Sequence, residues 1–297
     1  MIFFDKLNSL PDACFPNLGI SFGEVNRVAF TIFGFDIYWY GLFICTGVIL
    51  GICMLMYNIK AEGENPDPYI DFVFWGIIAG ITGARAYYLI FNDHSLKSFF
   101  AFRDGGLAIY GGVIGAVIAV IVYTKYKKLP LFKFTDIFAA PLLVGQIVGR
   151  LGNFVNREAF GKATTSFFSL MYKAEKVPHL KINGDIGVYR NAAEYPLTFV
   201  KNTAYISVHP TFLYEMSCNI LIVIIMCLYR KHKKFDGEIS CMYFLFYGLG
   251  RFFIESIRTD QLMIGGFPVS MLFSALVSTA SLITIIICRK RAAKTVR

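Results

Sequence analysis

Charge is what this 297-residue chain has least of: Asp, Glu, Lys and Arg together make up 16% of it, against 56% hydrophobic residues. With a mean hydropathy of +0.56, it lies outside the range of ordinary soluble domains. Histidine is scarce too, with four copies, His94, His179, His209 and His232, scattered along the chain. None of the seven cysteines joins a close Cys/His cluster, so no metal site is expected. Six of them, Cys45, Cys53, Cys218, Cys227, Cys241 and Cys288, sit singly in or beside apolar runs, and Cys14 lies ahead of those runs. That distribution suits small apolar fillers and offers no disulfide framework. The start, Met1-Ile2-Phe3-Phe4-Asp5-Lys6, lacks a basic stretch ahead of a long apolar core, so it is not expected to be a cleavable signal peptide.

What is abundant is long apolar sequence. Seven stretches run approximately Tyr38 to Ile59, Ile70 to Phe91, Leu107 to Tyr123, Phe134 to Val155, Pro210 to Tyr229, Ile239 to Ile257 and Phe267 to Cys288. Each is long enough to cross a hydrocarbon core of roughly 30 Å. The expected fold class is therefore an all-α polytopic membrane protein of about seven transmembrane helices. Lysines and arginines cluster after the third stretch (Lys125, Lys127, Lys128, Lys133), the fifth (Arg230, Lys231, Lys233, Lys234) and the seventh (Arg289, Lys290, Arg291, Lys294, Arg297). Alternate loops hold only Lys97 and Arg103, or Arg258, near the membrane. Positive loops stay cytoplasmic, which predicts an outside N-terminus and a cytoplasmic C-terminus. The net charge of +9 then faces anionic headgroups, with no call for nucleic acid. The expected organisation is an extracytoplasmic arm over 1–36, a bundle over 37–288 and a basic cytoplasmic tail over 289–297. An extracytoplasmic head over 157–209 interrupts the bundle, with short strands suggested by Ser166-Phe167-Phe168-Ser169-Leu170-Met171 and Gly187-Val188-Tyr189. Glycines at Gly76, Gly80 and Gly83, Gly111, Gly112 and Gly115, and Gly145, Gly149 and Gly152 suit close helix packing.

Charged residues inside these stretches demand a reason, because an arginine at the centre of a membrane helix costs roughly 2.5 to 3.5 kcal/mol on translocon scales. Arg150 lies near the end of the fourth stretch, and Asn153 and Arg157 follow it at helical spacing, so the three share one face if the helix continues. The sixth stretch repeats the pattern with Tyr247, Arg251, Glu255 and Arg258. Arg251 with Glu255 also reads as an intrahelical ion pair, and Arg150 as a side chain snorkelling to the interface. Two guanidinium groups aimed into a bundle make a phosphate site, since arginine offers planar bidentate donors and keeps its charge in a low dielectric. A phosphate inside a membrane protein suggests a lipid headgroup. Arg85 is a candidate third member, and Tyr40 beside Gly41 a candidate inward-facing aromatic.

The run Gly149-Arg150-Leu151-Gly152-Asn153-Phe154-Val155-Asn156-Arg157-Glu158-Ala159-Phe160-Gly161 resembles the signature of the bacterial prolipoprotein diacylglyceryl transferase family, with every fixed position met. Further similarity lies in Tyr38-Trp39-Tyr40-Gly41, Gly83-Ala84-Arg85, Asp104-Gly105-Gly106-Leu107-Ala108-Ile109-Tyr110-Gly111-Gly112, His209-Pro210-Thr211-Phe212-Leu213-Tyr214-Glu215 and Tyr247 to Arg258. The resemblance implies transfer of a diacylglyceryl group from phosphatidylglycerol to the lipobox cysteine of a preprolipoprotein, in a bacterial cytoplasmic membrane. It implies phosphate-contacting roles for Arg150 and Arg251, orienting roles for Asn153, Asn156 and Glu158, a lipid-lining role for Tyr40 and support for Arg251 from Glu255. Arg258, Glu215, Tyr247 and Arg85 join the substrate-binding set.

One position departs from the enterobacterial type of the family, where a histidine occupies the place of Tyr110. Tyrosine, with a reference pKa of about 10, is a poor base, so Tyr110 is expected to hydrogen-bond near the substrate. Proton removal is then left to Glu158 or water. No cofactor is expected, and a monomer suffices. Two other readings remain at this level: a transporter or flippase for an anionic solute or lipid, and a lipid-binding paralogue without catalysis. The first predicts two related halves, whereas the run from Gly149 to Gly161 has no counterpart elsewhere in the chain.

Overall fold

The computed structural model describes residues 2–5, 9–91, 99–100, 106–178, 195–259 and 263–295. A short helix, α1 (Ile2–Asp5), and two strands, β1 (Ala13–Phe15) and β2 (Ile20–Phe22), open the chain. A hairpin of β3 (Val28–Ile32) and β4 (Phe35–Tyr38) leads into α2 (Trp39–Glu62) and α3 (Asp67–Phe91), then α4 (Ile109–Lys127) and α5 (Leu131–Asn156). The connection after α5 carries β5 (Leu170–Lys173), β6 (Leu197–Val200) and β7 (Thr203–Val208). The helices α6 (Thr211–Tyr229) and α7 (Glu238–Ser256) come next, and the pair β8 (Met263–Ile264) and β9 (Phe267–Pro268) precedes α8 (Val269–Thr295).

Among the described residues, six helices are long and apolar enough to cross a membrane: α2, α3, α4, α5, α6 with the turn that follows it, and α8. The seventh long helix, α7, is 19 residues, about 28 Å at 1.5 Å per residue. It carries Glu238, Arg251 and Glu255 and falls outside that set. All seven expected stretches are helical, with ends displaced by a few residues. The largest displacement is at the end, where α8 runs to Thr295, through most of the basic segment expected as a tail. Helix outlasts the apolar run because basic side chains near a helix C-terminus complement its dipole, and Arg289 reaches back to Glu238 at 2.5 Å.

Within the bundle, α3 and α4 approach until a Cβ added at Gly83 would lie 2.4 Å from the Gly111 carbonyl oxygen, so only glycine permits this contact. Tyr69, Phe72 and Tyr123 gather around Phe134 and tie that pair to α5. α5 also packs against α2, α6 and α7. At the end of the bundle remote from the strands, buried Asp136 of α5 accepts the backbone N–H groups of Gly237 and Ser240, each at 2.8 Å. A carboxylate there satisfies donors that the first turn of α7 would otherwise leave unpaired.

The remaining strands form one antiparallel sheet in the order β2-β1-β5-β7-β6, so the N-terminal segment and the connection after α5 share it. Cys14 stands opposite Met171, and Met171 opposite Ser207. Phe15, Leu170, Tyr172, Ile206 and Val208 make its core with Phe212 of α6, and Phe154 of α5 packs onto it. The sheet therefore sits on the ends of the two helices that bear Arg150 and Glu215. Of the strands suggested by sequence, 166–171 is extended only from Leu170, with a turn at Phe167-Phe168. Gly187-Val188-Tyr189 lies outside the described residues, as do Lys97, Arg103, Asp104, Gly105, His94 and His179.

Candidate active site

At the sheet-side end of the bundle, arginines from two helices converge on one carboxylate from a third. Arg150 of α5 donates through Nη2 to Glu215 Oε1 at 2.6 Å and through Nη1 to Asn153 Oδ1 at 3.1 Å. Arg251 of α7 donates through Nη1 to Glu215 Oε2 at 3.1 Å. Tyr247, one turn before Arg251, donates to Glu215 Oε1 at 3.3 Å. Glu215 is 3% exposed, so its charge is compensated by two guanidiniums with little help from water. The arginine side chains retain 20% and 18% exposure, which leaves them an open side.

The intrahelical pair read from sequence is present, since Arg251 Nη2 lies 2.8 Å from Glu255 Oε2. It is not the whole role of Arg251, which also reaches across to Glu215. Arg258 Nε stands 3.9 Å from the same Glu255 oxygen. The counter-charge of Arg150 comes from α6, which no inspection of its own helix can reveal. Asn153 and Asn156 both donate to Glu158 Oε1 at 3.2 Å, so the two asparagines hold that carboxylate over the end of α5.

Arg157 departs from the expected shared face. Helix α5 ends at Asn156, and Arg157 takes a left-handed conformation, φ +54°, which swings its side chain off the Arg150 stripe. It is buried beside Asp12, with Nη2 at 3.1 Å from Asp12 Oδ2, and donates to the Val25 carbonyl as well. Its task is to fasten the N-terminal segment to α5. Burial holds its guanidinium below the usual arginine pKa, with Asp12 opposing that shift.

Two glycines of the run between Gly149 and Gly161 make room for the site. A Cβ on Gly152 would lie 2.3 Å from the Tyr40 ring, so glycine lets Tyr40 of α2 lie against α5 beside Asn153. At Gly161, a Cβ would meet the Ile257 carbonyl oxygen at 2.8 Å and Thr211 Cγ2 at 2.9 Å. There the connection crosses the end of α7 and the start of α6, with Lys162 N–H donating to the Ile257 carbonyl at 2.8 Å.

Arg85 and Tyr110 are not in this network. Arg85 donates to the backbone carbonyls of Phe99 at 3.1 Å and Gly106 at 3.0 Å, which holds the segment leading into α4. Tyr110 lies in the first turn of α4 with an exposed side chain, and no hydrogen bond joins it to Arg150, Glu215 or Arg251 among the described residues. Sequence reading missed a second polar layer, Gln146, Asn219 and Tyr243. Each sits four residues from a site residue on its own helix, so extending the polar stripes of α5 and α7 by one turn finds Gln146 and Tyr243.

A model of the prolipoprotein diacylglyceryl transferase family matches residues 27–287, which include every residue named in this site except Asp12 and Val25. The chain belongs to that family. It is 38% identical over 275 residues to the phosphatidylglycerol-prolipoprotein diacylglyceryl transferase of Finegoldia magna, covering 91% of this chain and 98% of that protein. Similarity to the enzyme of the same name from Clostridioides difficile is 36% over 254 residues, covering 84% and 90%. The Enterococcus faecalis enzyme is 35% identical over 277 residues, covering 90% and 92%. Family membership makes the chain a transferase of lipoprotein biosynthesis.

Proposed function

We propose that this protein transfers the diacylglyceryl group of phosphatidylglycerol to the lipobox cysteine of preprolipoproteins, the first step of lipoprotein maturation. The observation that carries this reading is the pair of arginines from α5 and α7 held by one buried carboxylate, Glu215, with their open sides available to a phosphodiester. The names of these related enzymes support both substrates.

In the proposed reaction the cysteine sulfur forms a bond to the terminal glyceryl carbon, and the bond from that carbon to the phosphate oxygen breaks. The electron pair leaves with glycerol phosphate, and the thiol proton is released. A thiol with a pKa near 8.5 is only a few per cent ionised at neutral pH, so proton removal helps. Glu158, which accepts hydrogen bonds from Asn153 and Asn156, takes it up directly or through water. Arg150 and Arg251 stabilise charge growing on the departing phosphate, where a low dielectric strengthens each donor. Glu215 sets the spacing of the two guanidiniums, Tyr247 orients Glu215, Glu255 with Arg258 holds Arg251, and Tyr40 lines the lipid. Arg85 positions the start of α4, whose Tyr110 hydrogen-bonds near the substrate.

In this reading α7 is the seventh span, its charges neutralised within the bundle. The sheet lies outside the cytoplasmic membrane of a bacterium, the basic loops lie inside, and the protein works as a monomer. The test is incubation of purified protein with phosphatidylglycerol and a lipobox peptide. A peptide mass gain of one diacylglyceryl group is expected. Bound but unmodified peptide contradicts the reading in favour of a lipid-binding role, and solute uptake into proteoliposomes without mass gain contradicts it in favour of transport.

A further inference from the structure

One turn below the arginines, away from the sheet, three neutral polar side chains from the same three helices meet inside the bundle. Gln146 of α5 donates through Nε2 to the Tyr243 hydroxyl of α7 at 3.1 Å. Asn219 of α6 donates through Nδ2 to Gln146 Oε1 at 3.5 Å, and Asn219 is 1% exposed. The Tyr243 ring stacks on Tyr247, with centroids 5.6 Å apart and planes within 6°. Tyr247 in turn donates to Glu215, the shared partner of both arginines. The contacts run in a chain from Asn219 through Gln146, Tyr243 and Tyr247 to Glu215, and the α6 backbone, with Glu215 one turn from Asn219, closes it into a ring. None of Gln146, Asn219 or Tyr243 reaches Arg150 or Arg251 directly, among the described residues.

Polar groups deep in a lipophilic bundle are retained for a task, and a fully connected set rigidifies what it touches. The ring has one exit toward charge, the Tyr247 hydroxyl on Glu215. We infer that Gln146, Asn219 and Tyr243 form a positioning layer that fixes Tyr247, and through it the carboxylate that spaces the two arginines. The inference rests on the proposed transfer reaction and names residues for it that touch neither substrate. Tyr243 fixes Tyr247 by its ring, and Gln146 fixes Tyr243 by its hydroxyl. Asn219 orients the Gln146 amide by occupying its carbonyl oxygen.

Such a layer acts on the reaction through geometry, so its loss lowers kcat and leaves the KM for phosphatidylglycerol in place. The decisive variants are Tyr243→Phe, which deletes one oxygen and keeps the stack, and Gln146→Leu, which removes the donor. Transfer to a lipobox peptide is followed by mass at varied phosphatidylglycerol, with thermal unfolding measured in parallel. Each variant is expected to lose about tenfold in kcat, with KM within about twofold of the parent protein. The two deletions remove the same hydrogen bond, so the double variant is expected to be no slower than the slower single one. Adding Tyr243→Phe to Tyr247→Phe is likewise expected to cost nothing further, since the route through Tyr247 is already cut.

Parent-like kcat in Tyr243→Phe overturns the inference, as does a loss in KM alone, which marks direct substrate contact. Losses that multiply in the double variants also overturn it, because the residues then act independently. If Gln146→Leu unfolds, Tyr243→Phe alone decides. If the unsubstituted protein transfers nothing, it is the proposed function that has failed, and the two failures are thereby distinguished.

Discussion

At the scale of single residues, the site is organised by a carboxylate. Glu215 was expected only as support, yet it is the group that brings Arg150 and Arg251 onto one anion. An arginine in lipophilic surroundings is tolerated when its charge is matched, and sharing one carboxylate leaves each fork with donors for a second anion. Tyr110 stands apart from that convergence, so its hydroxyl is expected to contribute less than either arginine. Tyr110→Phe is expected to keep activity within about tenfold of the parent, roughly the worth of one hydrogen bond, whereas Arg150→Ala abolishes transfer. Loss in Tyr110→Phe as complete as in Arg150→Ala, at equal protein level and lipid binding, contradicts this ranking.

At the scale of elements, the two stripes on α5 and α7 were legible because helical periodicity depends on local spacing alone. Asn153 falls beside Arg150 as that spacing predicts, and Tyr247, Arg251 and Glu255 line one face of α7. What local spacing cannot give is a partner from another helix, which is why the Arg150 to Glu215 pair had to await the packing of α5 on α6. The pairing of β1 with β5 was hidden for the same reason, since about 150 residues separate the two strands. Arg157 shows a further limit: a stripe extrapolated past Asn156 fails because the helix stops there and the backbone turns left-handed. That arginine instead secures the sheet. Arg157→Ala leaves Asp12 buried without its guanidinium, and a loss of about 3 to 5 kcal/mol is expected in denaturant unfolding of the detergent-solubilised protein. Replacing Asp12 by alanine in the same chain is expected to restore part of that loss, and no recovery contradicts a paired role.

The joint between sheet and α6 is expected to carry a pH dependence. Burial lowers the pKa of His209, whose carbonyl accepts the Gly161 N–H, so the folded protein favours the neutral imidazole. Its stability contribution is complete above the unfolded value of about 6.5 and is lost as pH falls from there toward the lower folded value. Thermal unfolding is therefore expected at lower temperature at pH 5.5 than at pH 7.5, with a shallower dependence in His209→Gln. An unchanged slope in that variant contradicts the assignment.

At the scale of the whole molecule, apolar stretches located every long helix, since crossing a bilayer imposes one length and one composition on each. The count of spans turns on α7, the helix where charge is spent on the site. Glu238 at its start pairs with the half-exposed Arg289, and Arg251 near its end pairs with Glu215 and Glu255, which lowers the cost of a spanning position. With α7 as the proposed seventh span, Lys231, in the turn after α6, is expected on the cytoplasmic side with its basic neighbours. A Lys231→Cys variant is expected to resist a membrane-impermeant thiol reagent in intact cells and to react after lysis. Labelling in intact cells contradicts the orientation.

The central claim is that Arg150 and Arg251 grip a phosphodiester with forked donors and stabilise it as it leaves. The most direct test is single-turnover transfer from phosphatidylglycerol to a lipobox peptide by Arg150→Lys, which keeps the charge and removes the fork. A fall of about 100-fold or more in the transfer step, with the protein folded, is the expected result, in line with loss of a preorganised donor to developing charge. A transfer rate near that of the parent protein contradicts the account.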